Sequence, residues 1–211
     1  MKVQNELNVK ITYQEFLETK KKKAQEVGFE IEDSKLNSKL FDFQRHIVKK
    51  ALKAGRYAIF ADCGLGKTFM QLEFAKQVCD YTNKPVLILA PLAVAGQTIE
   101  QGINFGIEVI KLMPEMQSFH DTPKGIYITN YEQLENVNTD DFVGIILDES
   151  SILKNFEGKT KELIISCFAD TQYKLACTAT PSPNDPMELG NHTEFLNVMS
   201  RVEMLAMYFV H

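Results

Sequence analysis

The sequence predicts an α/β fold: a mostly parallel sheet with helices on both faces. Three observations predict it. After residue 38, short apolar runs alternate with amphipathic helical stretches, the pattern of a parallel sheet covered by helices. Runs such as Val-Leu-Ile-Leu-Ala at 86–90 and Gly-Ile-Ile-Leu at 144–147 are continuously apolar, which suits strands buried on both faces. A length of 211 residues, 45% hydrophobic and 24% charged, gives one large globular domain a substantial core and excludes disordered or fibrous classes.

The elements follow in order. Residues 1–38 are polar and lysine-rich. Within them 12–27 reads as a helix whose few apolar positions are Phe16, Leu17 and Ala24, and 33–38 reads as a linker. The run Lys20 to Lys23 is the solvated face of that helix. Residues 39–211 form the domain proper, with strands expected at 57–61, 86–90, 108–110, 126–129, 144–147 and 174–177. The clearest helices are 41–54, 67–81 and 96–105.

Composition narrows the function classes. The longest apolar stretch, 86–95, is interrupted by Pro91 and falls well short of the roughly 20 residues a membrane helix needs. The opening Met-Lys-Val-Gln-Asn-Glu-Leu has no apolar signal-peptide core, so a cytoplasmic protein is expected. Cys63, Cys79, Cys167 and Cys177 form no C-x-x-C pair and have no histidine at ligand spacing, which argues against zinc. His46, His120, His192 and His211 belong to no visible constellation and read as surface or packing residues. A net charge of −5 argues against a large basic nucleic-acid clamp. It leaves room for a reader that grips phosphates with backbone amides.

Two motifs carry chemistry. The strand at 57–61 runs into Ala61-Asp62-Cys63-Gly64-Leu65-Gly66-Lys67-Thr68 and then a helix, the context of a phosphate-binding loop. Gly64 and Gly66 allow a tight turn whose amides, with those of Cys63 and Leu65, face anionic oxygens, and the helix N-terminus adds partial positive charge. Lys67 is the candidate for β- and γ-phosphates, and the Thr68 hydroxyl for a magnesium shell. The usual first glycine is Ala61 here. The second motif, Gly144-Ile145-Ile146-Leu147-Asp148-Glu149-Ser150-Ser151, is an apolar strand ending in two acids, where open α/β sheets put their ligands. Asp148 is the candidate magnesium ligand, and Glu149 the group that orients and deprotonates attacking water.

These residues resemble superfamily 2 helicases and translocases over roughly 40–200. The resemblance implies a RecA-like domain using ATP and Mg2+, with Gln44 of Phe43-Gln44 reading the adenine edge. It implies that Pro91, Leu92 and Gln97, and later Thr129 and Asn130, line the nucleic-acid path, DNA being favoured. Thr178-Ala179-Thr180-Pro181 looks like the motif coupling the ATP site to the strand-gripping surface, so Thr178 and Thr180 are coupling candidates. The segment from Asp148 to Asn155, with Asn184, Glu188-Leu189 and Phe195-Leu196, is similar to the chromatin-remodeller-like branch, and the whole to helicase-like proteins of phages and prophages. Ser151, a third coupling candidate, stands where most relatives have histidine or aspartate.

In this superfamily a second, similar domain completes the ATP cleft and supplies arginines. Only 31 residues follow Thr180, Arg201 is their sole arginine, and the apolar tail 199–211 reads as an element cut short. The chain is therefore expected to be the first half of a two-domain engine. Two rivals stay open: a phosphate-loop kinase or small ATPase, and a non-catalytic module docking through its apolar tail.

Overall fold

The computed structural model describes residues 25–113, 122–154 and 158–209. Six strands, β1 (Arg56–Phe60), β2 (Val86–Ala90), β3 (Ile110–Lys111), β4 (Ile126–Asn130), β5 (Gly144–Asp148) and β6 (Tyr173–Thr178), form one sheet. Its order is β1-β6-β5-β2-β4-β3, and every pairing is parallel. The helices are α1 (Asp42–Ala54), α2 (Lys67–Thr82), α3 (Leu92–Phe105), α4 (Lys159–Cys167), α5 (Leu189–Phe195) and α6 (Arg201–Tyr208). None of the described helices is long and apolar enough to cross a membrane.

Both sheet faces are covered, as the apolar runs require. Along β2, Ile88 packs with Val48 of α1, Phe74 of α2 and Phe105 of α3, whereas Leu87 and Leu89 pack on the opposite face with Ile164 of α4 and Phe195 of α5. All five β2 residues are inaccessible to solvent. Each large aliphatic buried this way stabilises by about 1.5–3 kcal/mol, more than the roughly 1–2 kcal/mol of backbone entropy its ordering costs.

Local chemistry sets the helix ends. The Gln44 Oε1 reaches back to accept the Phe41 N–H at 3.0 Å, opening α1. Ser200 and Glu203 exchange bonds of the capping-box kind at the start of α6. One buried cation has a structural explanation. Lys174 of β6 donates to the carbonyls of Ala169 and Phe195 and to Asn197 Oδ1, at the C-terminal end of α5 where helix carbonyls favour positive charge. Burial lowers its pKa to about 8.

Three expectations shift. The segment read as a linker, 33–38, is a strap. Val27 and Phe29 N–H donate to the Ala54 and Leu52 carbonyls, Asn37 N–H to Glu73 Oε1, and Gln77 Nε2 to the Lys35 carbonyl, while Leu36 and Leu40 are buried. Where the strap crosses α1, a Cβ on Gly28 would lie 1.8 Å from the Leu52 oxygen, so only glycine fits. The strand expected at 108–110 pairs instead at Ile110 and Lys111, opposite Tyr127 and Ile128 of β4, its single neighbour. And α3 begins at Leu92, four residues before Gly96, a glycine that the packing tolerates inside the helix. The helix expected at 12–27 lies outside the described residues through residue 24, and 25–27 are non-helical. Lys20 to Lys23, His120, Asn155 and His211 also lie outside the described residues.

Candidate functional site

Because the strands are parallel, β1, β6, β5, β2 and β4 all deliver their C-terminal ends to one edge of the sheet. The sequence-predicted residues are distributed along it in two groups.

The first group lies past β1, β6 and β5. The loop 61–66 leaves β1, with Asp62 Oδ1 accepting the Cys63 N–H at 2.7 Å and α2 starting at Lys67. Gly64 and Gly66 have φ of +81° and +75°, and a Cβ on Gly66 would meet the Gln44 amide nitrogen at 2.3 Å. Ala61 is absent from the residues of positive φ, so the missing first glycine costs the loop nothing. The Lys67 ammonium donates to the carbonyls of Ala61 at 2.8 Å and Asp62 at 3.2 Å, which holds it over the loop. Thr68 follows it in the first turn of α2.

Across β6, Asp148 closes β5 and is nearly buried. Burial raises its pKa, reinforced by the Glu149 charge, while the Gln71 hydrogen bond and the Lys67 charge pull it back. Lys67 and Asp148 therefore share one electrostatic environment. Glu149 has a φ of +57°, a left-handed conformation that costs a non-glycine residue roughly 1–3 kcal/mol and that surrounding contacts must enforce. They do. The Glu149 Oε1 accepts the Thr178 hydroxyl at 2.5 Å and the Ser151 hydroxyl at 3.0 Å, and Thr178 Oγ1 accepts the Thr180 N–H at 3.0 Å. Two of the three coupling candidates thus meet at the carboxylate of Glu149, and the third, Thr180, reaches it only through Thr178.

The Gln44 amide is partly engaged within the fold. Its Oε1 is occupied by the Phe41 N–H, its Nε2 donates to the Leu65 carbonyl at 3.0 Å, and the side chain is 2% exposed. The amide joins α1 to the phosphate loop. One N–H and one lone pair remain for any other contact.

The second group lies past β2 and β4, whose ends pair at Ala90 and Asn130. Leu92 and Gln97 are exposed at the start of α3, and Pro91 is half-buried. Thr129 is 7% exposed near the end of β4, and Asn130 Oδ1 caps the 3-10 helix Tyr131–Asn136 through the Gln133 N–H at 3.0 Å.

Three residues that sequence reasoning missed support the first group. Gln71 donates to Asp148 Oδ1 at 2.8 Å. The buried Tyr131 hydroxyl donates to the Asp148 carbonyl oxygen at 2.6 Å, and burial pushes its pKa well up. His192 Nε2 lies 3.1 Å from Ser150 Oγ, with the ring edge-on to Phe60. Burial lowers the His192 pKa to about 4, so the ring is neutral at pH 7. The position of Gln71, one helical turn past Lys67, was the only signal in the sequence that could have pointed to any of them.

Residues 37–183 match the family model of the type III restriction enzyme res subunit. The chain belongs to this family. It is accordingly a RecA-like domain of the superfamily 2 helicase and translocase type, an ATP-hydrolysing class of motor. Among curated relatives, it is 29% identical over 176 residues to the SWI/SNF-related matrix-associated actin-dependent regulator of chromatin subfamily A-like protein 1 of Xenopus tropicalis, matching 78% of this chain and 18% of that one. Among solved structures, the fold of this motor domain is similar to the Sulfolobus solfataricus SWI2/SNF2 ATPase core in complex with dsDNA, with a TM-score of 0.68 at 20% identity over 83% of this chain and 40% of that one. It is also similar to the UvsW helicase of bacteriophage T4, with a TM-score of 0.60 at 15% identity over 90% and 67%. The chain thus spans less than half the length of the first two relatives.

Proposed function

We propose that this domain binds Mg-ATP at the β1–β6–β5 edge and that the protein carrying it couples hydrolysis to movement along double-stranded DNA. The observation that carries the reading is the Glu149 carboxylate, held in a costly backbone conformation by Thr178 and Ser151, on the same edge as the Lys67 loop. Residues pinned that way at a sheet edge are poised for chemistry rather than stability.

Each residue then has a task. The backbone of 63–68 and the Lys67 ammonium hold phosphates, and the free N–H and lone pair of Gln44 meet a purine edge. Glu149 orients a water and accepts its proton. The hydroxyl of Thr68 and the carboxylate of Asp148 offer hard oxygen donors that suit magnesium. When bound, magnesium neutralises charge developing on the phosphate oxygens. Pro91, Leu92 and Gln97 line the DNA path, and Thr178 and Thr180 transmit between that path and Glu149. A second RecA-like domain supplies arginines worth about 10³–10⁵ in rate, so this domain alone turns over slowly. A cytoplasmic setting goes with that task.

The test is equilibrium titration of a fluorescent ATP analogue onto the chain, with DNA-stimulated turnover measured in the full-length protein. Lys67→Ala should weaken binding about 10- to 100-fold, the worth of a hydrogen bond from a charged group, and abolish turnover. Unchanged affinity and turnover would overturn the reading.

A further inference from the structure

Gln71 is completely buried on α2, four residues after Lys67 and three after Thr68, and its side chain crosses to β5. Its Nε2 donates to Asp148 Oδ1 at 2.8 Å, a bond between residues 77 apart in sequence. Its other end is anomalous: the buried Oε1 has no hydrogen-bond partner. A buried amide with an orphaned carbonyl is destabilising, and methionine would fill similar volume without the loss. Core packing therefore does not account for an amide at this position. Its nitrogen, which donates to Asp148 and also lies beside the buried Cys177 thiol on β6, does.

Resting on the nucleotide-site reading above, we infer that Gln71 is a positioning residue that presents Asp148 to the nucleotide's magnesium ion. The Tyr131 hydroxyl holds the Asp148 main-chain oxygen, and Gln71 holds Oδ1, so backbone and carboxyl plane are both fixed. An amide suits this task for two reasons. It is neutral, so unlike lysine it does not compete with a cation for the carboxylate. And it donates without accepting at that nitrogen, so it orients one oxygen and leaves the other for a metal.

The experiment uses the chain itself. A fluorescent ADP analogue is titrated onto wild type, Gln71→Met and Gln71→Asn, once in EDTA and once in excess Mg2+, with a melting curve confirming that each is folded. Met keeps the volume and removes the donor; Asn keeps the amide but withdraws it by about one bond length, beyond reach. Affinities in EDTA should agree within about twofold, while the gain on adding Mg2+ should shrink about 10-fold in both variants, the usual effect of removing a partner of a metal ligand. Variants that retain the full wild-type gain would overturn the inference and leave the nucleotide site standing. Equal losses in EDTA and Mg2+ would overturn it too, reducing Gln71 to packing between α2 and β5. A wild-type chain that binds no nucleotide would overturn the site reading and this inference together.

Discussion

The two halves of the sheet's C-terminal edge are built differently. Past β1, β6 and β5 the functional side chains bond to one another: Gln71 to Asp148, Thr178 and Ser151 to Glu149, Gln44 to the Leu65 carbonyl. Past β2 and β4, Leu92 and Gln97 stand in solvent, while the polar groups beside them, Thr129 and Asn130, serve packing and capping. On the function proposed above, the first half is preorganised for a small ligand with demanding geometry, where misplacement is costly. The second is an open surface suited to a partner gripped along its backbone.

The difference can be broken from either side. The largest effect is expected from Glu149→Gln, which keeps the shape and removes the base. DNA-stimulated turnover of the full-length protein should fall about 10²–10⁴-fold, with nucleotide and DNA affinities retained. Turnover at the wild-type rate would assign the water-activating role elsewhere.

A smaller effect probes the buttress behind the first half. His192 titrates near 6.5 when unfolded and at about 4 in the fold. The unfolded chain therefore binds more protons between those values, so the residue's contribution is complete above about pH 6.5 and is lost as pH falls toward 4. At pH 5 the loss is about 2 kcal/mol, or roughly 4–8 °C in Tm relative to pH 7.5. Scanning calorimetry of wild type against His192→Gln, which bonds Ser150 without titrating in this range, isolates it. Parallel pH profiles would show that the ring is not held neutral by its burial.

The smallest effect belongs to the open half. Gln97→Ala should weaken DNA binding about 3- to 10-fold, the worth of one neutral hydrogen bond, and leave ATP-analogue affinity unchanged. Fluorescence anisotropy on a duplex measures the first and the analogue titration the second. A change in nucleotide affinity instead would erase the division between the halves.

The same division governs what was legible in the sequence. Lys67, Asp148 and Glu149 are readable because strand, loop and helix are contiguous and each acid terminates an apolar run. The partners that hold them are not readable. Thr178 meets Glu149 because β6 pairs with β5, and Gln71 meets Asp148 because α2 packs over β5, both non-local choices. The burial of Thr129 is unreadable for another reason: in a strand buried on both faces there is no alternation to say which way a side chain points. And 33–38 is polar enough to resemble a linker, although Leu36 within it and Leu40 just beyond it are buried.

That strap has a practical corollary. Phe29 stacks on Tyr81 with centroids 3.9 Å apart, and Asn37 Nδ2 donates to the Phe105 carbonyl, so the crossing chain pins the far ends of three neighbouring helices. A protein trimmed to begin at residue 39, where composition alone draws the domain border, would bare apolar surface over α1, α2 and α3. Such a chain would lose the Val27 and Phe29 bonds to the end of α1 as well.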